Sequence, residues 1–121
     1  MTPHKVELQD VSKTFSGDGR RVQALAGLSL HADPGEFVTI IGPSGSGKST
    51  IFNLVVGLLE PDQGRILLDG RQVERRAGLV GYMPQRDLLL PWRSVLDNVI
   101  LAPELAGVPR QQAYRRAREL I

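Results

Sequence analysis

A chain of 121 residues, 41% hydrophobic and 23% charged, has the composition of one soluble globular domain or part of one, with room for a single modest core. The net charge of +2 is uneven, with 5 Lys+Arg against 6 Asp+Glu in residues 1–60 and 10 against 7 after them, an excess too slight to argue for a nucleic-acid partner. The absence of cysteine excludes disulfides and thiolate metal sites, MTPHKVELQD lacks a signal-peptide apolar core, and the longest nearly apolar run, Ile51 to Leu59, is far short of the ~20 residues of a membrane span.

Along the chain, KVELQDVSKTF alternates Val6, Leu8 and, after a shift, Val11, which predicts a strand. SGDGRR predicts a turn, VQALAGLSLHA a second strand carrying Leu28 and Leu30, and DPGE another turn. FVTII, Phe37 to Ile41, is an unbroken apolar run of the kind buried on both faces of a largely parallel sheet. Ile51, Leu54, Val55 and Leu58 fall at i, i+3, i+4 and i+7 and predict a helix from about Lys48 to Leu59. RILLDGRQV predicts a strand and hairpin turning at Asp69-Gly70, and LVGYM a further strand.

From Leu88 the pattern turns helical. Ser94 with Asp97 forms a capping-box signal ahead of SVLDNVIL, and Pro109 suits the first turn of a helix whose Ala113, Tyr114, Ala117, Leu120 and Ile121 share a face. That last helix carries no C-terminal glycine or asparagine, so the sequence reads as cut within it. His4, near the terminus, and His31, on a predicted strand, are read as ordinary side chains without a chemical role.

The chemistry concentrates in Gly42-Pro43-Ser44-Gly45-Ser46-Gly47-Lys48-Ser49, which matches G-x-x-x-x-G-K-[ST] between a predicted strand and a predicted helix. Residues free of a Cβ let backbone N–H groups converge on one anion, and the helix that follows adds its unpaired N–H groups and the positive end of its dipole. Lys48 brings a full charge for β- and γ-phosphates, and Ser49 a hydroxyl for Mg²⁺. A merely flexible Gly/Ser loop is the alternative, disfavoured by that flanking context.

The string LAGLSLHADPGEFVTIIGPSGSGKSTIFNLVVGLLEPDQGRILLDG resembles the first half of an ATP-binding cassette (ABC) ATPase. GYMPQRDLLLPWRSVLDNVIL is similar to that family's Q-loop region, with the LLPW wording of importer ATPases of the nitrate, sulfonate and taurine kind. The resemblance implies an α/β fold: a P-loop core sheet with a small antiparallel β portion over residues 1–86, then the start of a helical subdomain over 87–121. It implies ATP and Mg²⁺ as cofactors, with Gly42 through Thr50 binding ATP and Phe15 stacking on its adenine, although Phe15 also reads as a core residue. Val22 stands equally between packing on the nucleotide and core. The resemblance gives Gln85 to Mg²⁺ and to the attacking water, since an amide serves both without changing protonation.

As a family member the protein would hydrolyse ATP at the cytoplasmic face of a membrane. It would work with transmembrane permease subunits and a second ATPase subunit, and indirectly with an extracytoplasmic solute-binding protein. The apolar run Leu88 to Trp92 reads either as subdomain core or as permease-facing surface. The family's signature segment, its strand ending in aspartate and glutamate, and its switch histidine would all follow the helix in which the sequence stops. The 121-residue chain alone is therefore expected to bind ATP weakly at best, to be poorly soluble and not to turn ATP over. The rival readings are a binding stub without turnover and a soluble ABC ATPase outside transport.

Overall fold

The alternation at the start of the chain resolves into a long antiparallel hairpin, β1 (Val6–Gly17) and β2 (Arg20–Ala32). Asp18 and Gly19 join them with φ of 49° and 73°, the doubly left-handed turn whose twist matches that of paired strands. The other edge of β1 takes β3 (Gln63–Leu68), and a second left-handed pair, Asp69 and Gly70, returns the chain as the short β4 (Arg71–Gln72). The sheet is antiparallel throughout, in the order β2-β1-β3-β4. This computed structural model describes residues 2–121, in two compact units that divide after Tyr82.

The shift between Leu8 and Val11 is a bulge at Asp10, whose φ is 49° and whose N–H donates to Ser29 Oγ at 2.9 Å. One extra residue lets two side chains three positions apart face the same way. Both are buried, with Leu25, Ile66 and the Ile51 and Leu54 of α1 (Lys48–Val55), and this cluster is the core of the first unit. The helix thus forms where the periodicity placed it but stops at Val55. Gly57 (φ 82°) turns the chain, and Leu58, expected on the buried face, is 64% exposed.

Arg76 closes that helix end. It is the buried charged residue of the described chain, at 4% exposure, and its guanidinium donates to the carbonyls of Leu54, Leu59 and Val73 at 3.0–3.3 Å and to the Glu60 carboxylate at 3.0 Å. The last carbonyls of a helix lack intrahelical donors, and a planar guanidinium can serve several at once. Arg76→Met keeps most of the volume, removes the donor to Leu59 and Val73 and leaves Leu54 only the Gly57 N–H, and is expected to destabilise this unit by about 2–4 kcal/mol. Urea denaturation followed by circular dichroism measures it; an unchanged midpoint would mean that water satisfies the carbonyls equally well.

Two expected strands do not form. Phe37 to Ile41 and Leu79 to Met83 have no strand conformation, and neither appears in any ladder with described residues. An apolar run meant for burial on both faces becomes a strand only where neighbours pair with it on each side. Without them Phe37 is 93% and Ile41 90% exposed, and only Ile40 packs against the core cluster.

The second unit, Met83–Ile121, is helical: α2 (Val95–Val99), α3 (Leu101–Leu105) and α4 (Arg110–Leu120). Ser94 caps α2 as predicted, its Oγ accepting from the Asp97 N–H at 3.1 Å. The Asp97 carboxylate in turn accepts from the Tyr114 hydroxyl and from Arg110, and these donors, Tyr114 foremost, hold its pKa below the ordinary carboxylate value. Ile100, Ala113 and Ala117 are buried together, while Leu120 and Ile121, expected on the same face, are exposed.

Candidate functional site

The phosphate-loop motif occupies Gly42 to Ser49, directly ahead of and into the first turn of α1. Ser46 N–H donates to the Pro43 carbonyl at 3.2 Å and closes the loop into a turn. Gly47 stands at the helix N-cap with φ 92° and ψ 7°, and no side chain caps the end. The N–H groups of the first turn therefore have no intrahelical acceptor and no capping oxygen, the condition under which a helix start accepts an anion.

Lys48 bends back over the loop. Its Nζ donates to the carbonyls of Gly42 and Pro43, both at 2.6 Å, and to Ser46 Oγ at 3.0 Å. An ammonium has three donors, and here loop oxygens take all three. The positive charge thus sits on the loop itself, beside the helix start, held by acceptors that phosphate oxygens can replace. Ser49 is exposed and Thr50 half-buried at the same helix start.

The loop is seated against β2. A Cβ built on Gly47 would lie 2.7 Å from the Ala24 carbonyl oxygen and 3.3 Å from Leu25 Cδ2, so the chain passes the strand at a distance only glycine allows. Nothing in the local pattern around Ala24 or Leu25 signals that they back the phosphate loop; only the folded hairpin shows it. Phe15 pairs with Val22 across the hairpin, and Val22 is two residues from Ala24, about 7 Å along the strand. Phe15 is 41% exposed and stands outside the core cluster, with Lys13 Nζ 5.9 Å from its ring centre. With Val22, Arg20 and Ser16 it lines an open concavity near the hairpin tip.

Residues Phe15 and Gly42 to Thr50 therefore belong to one unit, with a single strand linking the concavity to the phosphate loop. Gln85 belongs to the other unit, where it is exposed in a bend that follows Pro84. Leu88, Leu89 and Trp92 are 66–77% exposed in that unit and contribute to no core there.

A family model described as ABC transporter matches residues 25–121, more than half of the sequence. The chain belongs to the ABC transporter family. It is 42% identical over 116 residues to the taurine import ATP-binding protein TauB of Pseudomonas entomophila, covering 96% of this chain and 44% of that protein. It is 38% identical over 117 residues to an ABC transporter ATP-binding protein of Methanocaldococcus jannaschii, again covering 44% of the relative. The chain thus spans less than half the length of these curated relatives.

Among solved structures, the ATP-binding cassette MJ0796, a dimer in a post-hydrolysis state bound to ADP and phosphate, superposes with a TM-score of 0.80 at 31% identity. That match covers 94% of this chain and 54% of the cassette. The mixed α/β fold is accordingly that of the ABC ATPase cassettes, represented here by the antiparallel sheet, α1 and the following helices.

Proposed function

We propose that this chain is the nucleotide-holding part of an importer ATPase, with MgATP bound by Gly42 through Thr50. The observation that carries the reading is the loop geometry: an uncapped helix start, a glycine N-cap pressed on β2, and a lysine whose three donors are satisfied by replaceable loop oxygens. The similarity to TauB, at 42% identity, supports importer over other ABC functions.

The loop N–H groups and the first turn of α1 hold the phosphate chain, and Lys48 neutralises its β and γ oxygens. Ser49 would offer its hydroxyl to Mg²⁺, and Gln85, on the family resemblance, would serve the cation and the attacking water. Bound Mg²⁺ supplies charge neutralisation across the β- and γ-phosphates. Phe15 gives its ring to adenine, beside Val22 in the hairpin-tip concavity. The exposed Leu88, Leu89 and Trp92 face a transmembrane permease subunit, an apolar surface suited to burial in an interface. Hydrolysis, a second ATPase subunit, residence at the cytoplasmic face of a membrane and import of a solute of the nitrate, sulfonate or taurine kind would belong to a full-length family member. No helix among the described residues is long and apolar enough to cross a membrane.

Calorimetric titration with MgATP tests the reading. Phe15→Ala is expected to weaken binding by about 1–3 kcal/mol, the usual worth of a base–aromatic stack, while Phe15→Tyr stays near neutral. ATP and GTP should differ little, because a stack reads no hydrogen-bond pattern. Normal affinity in Phe15→Ala would assign the ring to the hairpin alone, and no MgATP binding by the unsubstituted chain would remove the proposal.

A further inference from the structure

At the end of the β1–β2 hairpin opposite its turn, the two histidines of the chain meet. The rings of His4 and His31 stack with centroids 3.8 Å apart and planes 27° from parallel. Asp33, two residues beyond His31, accepts a hydrogen bond from His4 Nδ1. One ligand atom from each of the three side chains lies within 4.8 Å of the other two. Nothing in the phosphate site uses these residues. Their sequence positions, separated by most of the hairpin, gave no reason to group them.

We propose that His4, His31 and Asp33 form a binding site for Zn²⁺. Two imidazoles and one carboxylate are the donor set that a borderline divalent ion takes, and three protein ligands leave a fourth tetrahedral position for water. Zinc–ligand bonds of about 2.0–2.2 Å put donor atoms roughly 3.3–3.6 Å apart, so binding requires the two imidazoles to unstack by rotation about their side-chain torsions and His4 Nδ1 to exchange its bond to Asp33 for the ion. His31 and Asp33 are exposed and His4 is half-buried, which leaves space on the solvent side for that rotation.

The backbone around them is fixed. Lys5 N–H donates to the Ala32 carbonyl at 2.8 Å, which clamps the segment carrying His4 to the one carrying His31 and Asp33, and the Asp33 N–H donates to the Glu36 carboxylate at 2.7 Å within its own turn. The nearby Glu7 and Glu36 carboxylates add negative potential that favours a cation. A bound ion would pin the segment before β1 to the turn that leads, through Phe37 to Ile41, into the phosphate loop.

The test is titration of the tag-free full chain with ZnCl₂ in a calorimeter, with Co²⁺ absorption spectra reporting the coordination geometry. One equivalent should bind, and Co²⁺ should give the intense visible bands of a four-coordinate site. His31→Ala and Asp33→Asn, both exposed positions that the core does not use, should each weaken binding by more than the ~10–100-fold typical of losing a partner behind a ligand. Their unfolding midpoints without metal should match that of the parent chain, whereas Zn²⁺ should raise the parent's midpoint alone. Absence of Zn²⁺ binding, or binding that survives in His31→Ala with undiminished strength, would overturn the site.

Discussion

Lys48→Ala is expected to abolish MgATP binding at concentrations where the parent chain saturates, and to leave the fold in place. The hydrogen bonds of the side chain stay within its own loop, going to Gly42, Pro43 and Ser46. Lys48 is not among the core cluster or the residues packed against it, and alanine is well accommodated in an α-helix. What disappears is the one full positive charge the motif brings to the phosphates. Hydrogen bonds to charged groups are worth about 1.5–3 kcal/mol each, so losing two of them weakens binding by roughly 100-fold or more. Lys48→Met separates charge from packing, because it keeps an unbranched apolar stem and removes only the ammonium. Calorimetry on both variants, with circular dichroism as the check on folding, decides the matter. Affinity retained in both would mean that the loop binds no phosphate through this lysine.

Local signals in the sequence were legible where the physics is local. Asp18-Gly19 and Asp69-Gly70 are left-handed turns because those residue types tolerate positive φ, and Ser94 caps α2 because its hydroxyl reaches an N–H three residues on. The G-x-x-x-x-G-K-S motif could be recognised for the same reason: its glycines and lysine lie within one eight-residue stretch. The segments Phe37 to Ile41 and Leu79 to Met83 failed as strands because a strand is a statement about its neighbours, and their apolar composition says nothing about who pairs with them. α1 stops where Gly57 turns the chain, but what completes that end is non-local. Arg76, which donates to the Leu54 carbonyl, lies 22 residues beyond it and looks in sequence like any other member of a basic surface run. The meeting of His4 with His31 depends on hairpin register, which the bulge at Asp10 and the turn at Asp18-Gly19 set together.

Gly47→Ala is expected to be the most damaging single-methyl change in the loop, and comparison with Gly45→Ala shows why. Both glycines have left-handed backbones, φ 79° at Gly45 and 92° at Gly47. Each substitution therefore carries the strain of an L-residue in that region, about 1–2 kcal/mol. At Gly45 that is all, since an added Cβ would have no atom within 4 Å. At Gly47 the same methyl would come within 2.7 Å of the Ala24 carbonyl oxygen, a backbone atom of β2 that cannot rotate away.

Relief requires the helix start to lift from the strand. α1 carries Ile51 and Leu54 into the core with Leu8, Val11 and Leu25, so lifting its first turn loosens that packing. The total cost at Gly47 should reach about 3–5 kcal/mol, against about 1–2 kcal/mol at Gly45. Nucleotide affinity should fall in both, because each alters the loop, but only Gly47→Ala should shift the unfolding midpoint strongly. Urea denaturation of the two variants in parallel, without nucleotide, provides the comparison. Equal destabilisation by the two would mean that left-handed strain alone governs the loop, and that its seat against β2 does not hold it in place.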